Sequence, residues 1–492
     1  MNYHIPRIML AAPASGGGKT TITCGLLQAL LNRGVSPAAF KCGPDYIDPM
    51  FHKYVLGVNG GNLDSFFLGE HEIRRQLVLG SGQQDMAVIE GVMGYFDGVA
   101  GTSTWASSYD IARITETPVI LIVDCKGSSL SVAAVVQGFL QYEKDRDAAA
   151  GKAEETGEFS QEIPEKRLEK ISGSRIKGVL LNRISPVIAE RLKPEIEKLG
   201  VAVVGYIPEC PEMKLESRHL GLVKPEELDM LRSQLDMLAE QMKNTVNIDK
   251  ICSIAQSALD IEMADDEVKI EHRSSQPSLR IGVARDSAFC FYYQENLRLL
   301  ESMGVETVMF SPISDASMPP NLYGMILGGG YPELHAAELA SNTSMKGSIK
   351  TAIEAGMPYL AECGGFLYLH RELEAPDGTS YPMVGVIDGN GYRTQRLSRF
   401  GYISLTPKAE GHCLSNEIKG HEFHYWDSTD CGEDWTAQKP LSARSWSCVH
   451  SKEFQIAGFP HLYYPSNPDF LKAWLDGCRS YRERRDRREK EA

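Results

Sequence analysis

APASGGGKTT (residues 12–21) decides how this chain is read. Its end, Gly18-Lys19-Thr20, is what a phosphate-binding loop needs. Its start is not: the pattern GxxxxGK[ST] asks for glycine where the chain has Pro13. The stretch follows an apolar run, RIMLAA (7–12), and precedes a helical pattern, TTITCGLLQALLNRG (20–34), so it sits between a strand and a helix. Three consecutive glycines let backbone N–H groups curl around phosphate oxygens, and the helix adds its positive N-terminal end. Ser15, Gly16, Gly17, Gly18, Lys19, Thr20 and Thr21 are therefore candidate nucleotide-binding residues. Lys19 would reach the β- and γ-phosphates, and the Thr20 hydroxyl would ligate Mg²⁺. The missing first glycine leaves the anion cradle in place and marks a variant loop.

Working outward, the first half alternates short apolar runs with helical patterns. AAFKCG (38–43), MAVIE (86–90), PVILIVD (118–124), IKGVLLN (176–182) and VAVVGYIP (201–208) are nearly continuous in apolar residues, as strands buried on both faces should be. The alternation restarts at LRIGVARD (279–286), VETVMF (305–310), YGMILGG (323–329) and MPYLAEC (357–363). The expected fold class is α/β, with two doubly wound domains. We place an ATP-binding domain at 1–242, a linker at 243–279, a second domain at 280–478 and a charged tail at 479–492. Within the first domain, 15 of the 28 residues of 143–170 are charged, which reads as a solvated insertion.

Composition narrows the function. The net charge of −14 argues against general nucleic-acid binding. No apolar run approaches the ~18 residues of a membrane span. The N-terminus MNYHIPRIML lacks a signal-peptide pattern, so a cytoplasmic location is expected. The 11 cysteines form no CxxC pair, which excludes the usual zinc and dithiol patterns.

Magnesium needs carboxylates, and several fall at strand ends. Glu90 closes MAVIE, the position of a Walker-B acid. Asp45 and Asp48 lie in KCGPDYIDP (41–49), after the second strand. Loops at the C-terminal ends of parallel strands share one crevice, so Thr20, Asp45 and Glu90 are the expected metal ligands. Asp97, in GYFDG, is a further acid on this rim.

A second constellation lies in MPYLAECGGFLYL (357–369). An apolar strand runs into Cys363, then Gly364-Gly365, then a helical pattern. A nucleophile on such a turn is exposed at the top of the sheet, and a helix N-terminus lowers a thiol pKa. LGGGYPE (327–333) ends another strand, so Gly329, Gly330 and Gly364 are candidate oxyanion donors. A base must come from elsewhere: His461 in AGFPHLYYPSNP, or His421 or His424 in GHEFHYW.

Together these stretches resemble the corrinoid a,c-diamide synthase family. The resemblance is carried by APASGGGKTT, KCGPDYIDP, NLDSF (62–66), VIEGVMGYFDG (88–98), SRHLGL (217–222), GGGYPELHA (328–336), ECGGFLYL (362–369) and GHEFHYW (420–426), and covers nearly the whole chain. The first half is similar to dethiobiotin synthetase and the MinD-type ATPases. The MinD signature lysine would fall at Ala14, so the loop resembles the ligase branch. The second half resembles a class I glutamine amidotransferase.

The resemblance implies Cys363 as the nucleophile toward the glutamine amide and His461 as its base. The acid that usually follows two residues later is Tyr463 here, leaving a Cys–His dyad without an assigned orienting group. It implies that Asn182 reads adenine and that Tyr46, Asp48 and Asp97 contact substrate. ATP, glutamine and Mg²⁺ are the expected co-substrates and cofactor. The implied substrate is a tetrapyrrole polycarboxylate, cobyrinate, amidated on its a and c acetates through acyl phosphates. Hydrogenobyrinate and nickel-sirohydrochlorin stay open as substrates. A MinD-like switch ATPase and a cysteine hydrolase with a structural nucleotide domain are the rival classes. A homodimer is the expected assembly, with neither nucleic acid nor membrane as partner.

Overall fold

The computed structural model describes residues 2–155, 173–210, 225–264, 279–397, 399–408 and 416–491. The chain divides into two compact units: Met1–Ser65 with Gly69–Val268, and Phe66–Leu68 with Lys269–Ala492.

The first unit runs β1 (Arg7–Ala11), α1 (Lys19–Asn32), β2 (Pro37–Cys42), α2 (Ile47–Tyr54), β3 (Gly60–Leu63), α3 (Glu70–Ser81), β4 (Met86–Glu90), α4 (Ser108–Ile114), β5 (Val119–Asp124), α5 (Ser131–Glu155), β6 (Ile176–Asn182), α6 (Pro186–Glu197), β7 (Ala202–Ile207), α7 (Pro225–Thr245) and α8 (Ile248–Gln256). The strands form one seven-stranded sheet in the order β3-β2-β4-β1-β5-β6-β7. Every pairing in it is parallel. β1, β2 and β4 are neighbours, so the phosphate loop, the 43–48 loop and Glu90 emerge side by side at their C-terminal ends.

β3 was not expected from apolar runs, because its sequence is Gly-Gly-Asn-Leu. A Cβ on Gly60 would lie 1.6 Å from the Ala39 carbonyl oxygen, so close strand approach demands the glycine that hides the strand. The expected linker also reads differently. Its first part contains α8, and Ile248, Ile251 and Ile254 of α8 are buried in the core of the first unit. The division between units, at Val268/Lys269, falls inside the expected 243–279 segment. The start of the charged stretch 143–170 lies within α5. There Glu143 is fully buried and accepts a hydrogen bond from Tyr95 at 2.6 Å, because one helix face meets the sheet while the rest is charged. SRHLGL (217–222) lies outside the described residues.

The second unit contains β8 (Leu279–Ala284), α9 (Gln294–Ser302), β9 (Val305–Phe310), β10 (Gly324–Leu327), α10 (Thr343–Glu354), β11 (Tyr359–Glu362), α11 (Gly364–Tyr368), β12 (Phe400–Pro407), β13 (Ile418–Phe423), β14 (Trp435–Gln438), β15 (Ser445–Cys448), β16 (His450–Lys452), β17 (Gln455–Gly458), β18 (His461–Leu462) and α12 (Pro468–Glu491). A six-stranded sheet has the order β9-β8-β10-β11-β17-β16. Its pairings are parallel except the last. Met325 and Leu327 of β10 enter one core while Ile326 enters the other, the period of two that a sheet covered on both faces requires. A five-stranded sheet, β15-β14-β12-β13-β18, is a feature that the strand–helix alternation did not announce. The charged tail from 479 is the end of α12. Among the described residues, no helix is long and apolar enough to cross a membrane.

Candidate active site

In the first unit the phosphate loop leads into α1 through Gly18, whose φ of 92° lies in the left-handed region. A Cβ there would also sit 2.5 Å from Asn182 Nδ2. Asn182, at the end of β6, donates that amide to the Gly17 carbonyl at 2.9 Å. The expected adenine reader thus holds the loop itself in this structure. Lys19 donates to the carbonyls of Met93 (2.5 Å) and Ala14 (3.4 Å). Burial, with the Lys41 charge nearby, lowers its pKa to about 8. Ser15 and Gly16 are exposed on the loop, and Thr21 is half-buried in α1.

Thr20 Oγ1 donates to Glu90 Oε1 at 2.6 Å. Lys41 donates to the same oxygen at 2.6 Å and to Asp48 Oδ2 at 2.5 Å. Lys41, Asp48 and Glu90 are all buried. Their charges hold the Lys41 ammonium well above the usual lysine range, against the pull of desolvation. Burial, reinforced by Asp48, pushes Glu90 up to about 7. Lys41 was not singled out from sequence, although it opens KCGPDYIDP; a lysine ending a buried strand among acids is the signal that could have found it.

The two aspartates take different places from those expected. Asp45 Oδ1 accepts from the amides of Ile47 (2.8 Å) and Asp48 (3.2 Å), so it caps α2. Its Oδ2 lies 3.8 Å from Lys41. Asp48 is the aspartate brought next to Glu90 through Lys41. Tyr46 is buried at the start of α2. Asn62 Nδ2 fixes this loop by donating to the carbonyls of Gly43 (2.9 Å) and Asp45 (2.7 Å). Asp97 is exposed and accepts from the Gly94 amide at 2.9 Å. That bond shapes the 91–97 turn, where a Gly94 Cβ would meet the Pro13 carbonyl oxygen at 2.6 Å.

In the second unit Cys363 follows β11 with φ 47° and ψ −101°. Holding a non-glycine residue there costs about 1–3 kcal/mol, and the turn is that of a nucleophile elbow. Two backbone contacts maintain it: Cys363 N–H donates to Gly458 O (2.8 Å) and Gly365 N–H to Gly328 O (3.0 Å). A Cβ on Gly365 would lie 2.1 Å from Leu327 O, and one on Gly364 3.1 Å from the Gly330 amide nitrogen. The three glycines expected to serve an oxyanion, Gly329, Gly330 and Gly364, therefore gather at this turn.

His461 follows β17, whose Gly458 is paired with Glu362. The register carries His461 to the same end of the sheet. A Cβ on Gly329 would lie 2.3 Å from His461 Cε1, so this glycine also makes room for the imidazole. Burial drives the His461 pKa well below its usual value, so the ring is neutral at pH 7. Burial, with Glu333 and Glu422 nearby, pushes the Cys363 thiol far up. The expectation that the helix N-terminus lowers this pKa is corrected: α11 has five residues, and desolvation outweighs its dipole. At rest the thiol and the imidazole are therefore both uncharged. His421 pairs with His461 across β13 and β18. His424, a third candidate base, hydrogen-bonds through Nδ1 with the Trp426 carbonyl at 2.5 Å.

Comparison with known proteins finds a family match for each half of the chain. Residues 8–223 match the CobQ/CobB/MinD/ParA nucleotide binding domain, and residues 280–444 match the CobB/CobQ-like glutamine amidotransferase domain. A cobyrinate a,c-diamide synthase of Listeria innocua is 37% identical, with 94% of this chain and 98% of that protein covered. The enzymes of that name from Caldanaerobacter subterraneus (34% identical; 96% and 98% covered) and Priestia megaterium (35%; 98% and 99%) are similar over the same extent. With these identities running through both units, the chain belongs to the cobyrinate a,c-diamide synthase family.

Proposed function

We propose that this chain amidates the a and c acetate carboxylates of cobyrinate in cobalamin biosynthesis, using ATP and glutamine. The observation that carries this reading is similarity to cobyrinate a,c-diamide synthases over 94–98% of the chain, spanning both domains. The geometry supplies matching chemistry. A carboxylate does not react with ammonia, because oxide is a poor leaving group. Transfer of the ATP γ-phosphoryl to the carboxylate gives an acyl phosphate, which ammonia attacks with release of phosphate. The loop amides, Lys19 and Lys41 would neutralise charge on the transferring group.

The residues present fit Mg²⁺. Thr20 and Glu90 converge, and Glu90 Oε2 is buried and accepts no hydrogen bond from a described residue. Among the described residues no three acid, histidine or cysteine side chains gather as a metal cage. Mg²⁺ takes one or two carboxylates, with phosphate and water completing its shell. Thr20, Glu90 and Asp48 would hold it, and it would supply charge neutralisation to the phosphates.

In the second unit, Cys363 attacks the glutamine amide carbon while His461 takes the thiol proton. The tetrahedral oxyanion faces the amides around Gly329, Gly330 and Gly364. His461 returns the proton to the departing nitrogen, and water then releases glutamate from the thioester. The test is incubation with ATP, Mg²⁺ and glutamine against cobyrinate, hydrogenobyrinate and nickel-sirohydrochlorin, with products read by mass. Two exchanges of OH for NH₂ on cobyrinate are expected. Amidation of only one of the other two would overturn the substrate assignment.

A further inference from the structure

The imidazole of His461 lacks the acid that follows two residues later in most class I amidotransferases; the position is Tyr463. The ring is nevertheless confined. Its Cε1 edge abuts the Gly329 backbone, where a Cβ would come within 2.3 Å. One face is covered by His421: ring centroids are 4.9 Å apart and the planes differ by 16°. The stack is fixed by the sheet, because His421 and His461 are register partners in the antiparallel pair β13–β18. His421 is held in turn by Tyr293, whose hydroxyl is hydrogen-bonded with His421 Nδ1 at 3.1 Å. Tyr463 closes the set, its ring edge-on to Tyr293 at 5.0 Å and 79°. Tyr293, His421, His461 and Tyr463 are all buried.

We propose that His421, locked by Tyr293, is a positioning residue for His461, its stacked ring fixing one face of the catalytic imidazole. A carboxylate orients a histidine by accepting from one ring nitrogen. A parallel ring orients it by occupying one face, and stacked aromatic pairs hold such geometry. The protonation states suit this device: burial lowers His421 to about 3, so a neutral ring faces His461 before and during proton transfer. Tyr463 then has a place in the same scaffold, as packing for Tyr293.

The inference rests on the glutamine amidotransferase reading, and the experiment separates the two. Glutamine hydrolysis by the full chain is measured with ATP, Mg²⁺ and cobyrinate present, for the parent and for Cys363→Ala, His421→Ala, His421→Phe and Tyr293→Phe. Parent activity that Cys363→Ala abolishes establishes the reading; its absence overturns the reading and the inference with it. Given that activity, His421→Ala should lower kcat by roughly 10- to 100-fold, as loss of orientation does, with KM for glutamine within about twofold. His421→Phe, which keeps a ring in the stack, should restore most of kcat. Tyr293→Phe should lower kcat by a few-fold, again without a change in KM. An unchanged kcat in His421→Ala, a loss that falls in KM, or a His421→Phe as deficient as His421→Ala would each overturn the inference. The last result would make His421 itself the proton acceptor. If thermal melting shows His421→Ala unfolded, Tyr293→Phe decides: reduced kcat at constant KM supports the proposal, and parental kcat overturns it.

Discussion

Lys41 Nζ lies 2.6 Å from Glu90 Oε1, in a site that buries both side chains and brings in Asp48 at 2.5 Å. Two carboxylates share one ammonium where the nucleotide's cation is expected. Lys41→Met leaves both acids buried without that partner, and breaking a buried pair costs about 3–5 kcal/mol. The penalty should shrink as pH falls. Lys41 holds Asp48 below the usual carboxylate range and limits the rise of Glu90, so without it both titrate higher, and protonation removes the uncompensated charge. Denaturant unfolding of the parent and Lys41→Met at pH 8 and pH 6 checks this. A penalty that is absent, or that grows toward pH 6, contradicts the arrangement.

The two aspartates of the 43–48 loop separate by unfolding for Asp45 and by titration for Asp48. Asp45 caps α2, so Asp45→Ala should cost about 1 kcal/mol, the usual value for an N-terminal cap. Asp48→Asn removes a buried partner of Lys41 and should raise the pKa of neither Glu90 nor Asp45, since it deletes a like charge. Carboxyl titration followed by carbon-13 NMR of labelled protein should show Glu90 falling in Asp48→Asn. A rise would contradict the shared-charge account.

Much of this was legible in sequence. Cys363 could be found because an apolar strand, a cysteine and two glycines in succession allow few conformations, and the phosphate loop because glycines, lysine and threonine must be contiguous to work. What was hidden depends on register. Lys41 reads as one cation in a buried strand until β2 is set beside β4, which brings it to Glu90. His421 reads as a rival base until β13 is set beside β18. The division between Asp45 and Asp48 turns on which one starts a helix. The fall of the thiol pKa expected at a helix N-terminus failed for a different reason: burial depends on the whole fold, and the dipole argument used only the local motif.

Lys19 has a pKa lowered to about 8 by burial and by Lys41. Without nucleotide, a substantial part of it is neutral at pH 8.5. Triphosphate binding places negative charge beside the amine and raises its pKa, so ATP binding at that pH should take up protons. Titration calorimetry in buffers of different ionisation enthalpy measures the number. About half a proton or more should be taken up by the parent and less by Lys19→Met. Equal uptake by the two proteins would remove Lys19 from the phosphate site.

Cys363 is a thiol at rest, with its pKa pushed far up by burial and by neighbouring acids. Iodoacetamide at pH 7.5 should therefore alkylate it at least about tenfold more slowly than a free cysteine, since the thiolate is the nucleophile. A reactive glutamine analogue, which brings its own electrophilic carbon to the oxyanion donors, should label it readily. Rapid alkylation by iodoacetamide with an inflection below pH 7 would instead show a resting thiolate–imidazolium pair.

The central claim is that one unit activates a carboxylate with ATP while the other draws ammonia from glutamine at Cys363. Amide synthesis by Cys363→Ala, measured with glutamine and separately with ammonium salts, tests it most directly. Glutamine-dependent product should vanish while ammonia-dependent product, which still requires ATP and Lys19, is retained. Loss of both activities in a folded Cys363→Ala protein would contradict the two-site account.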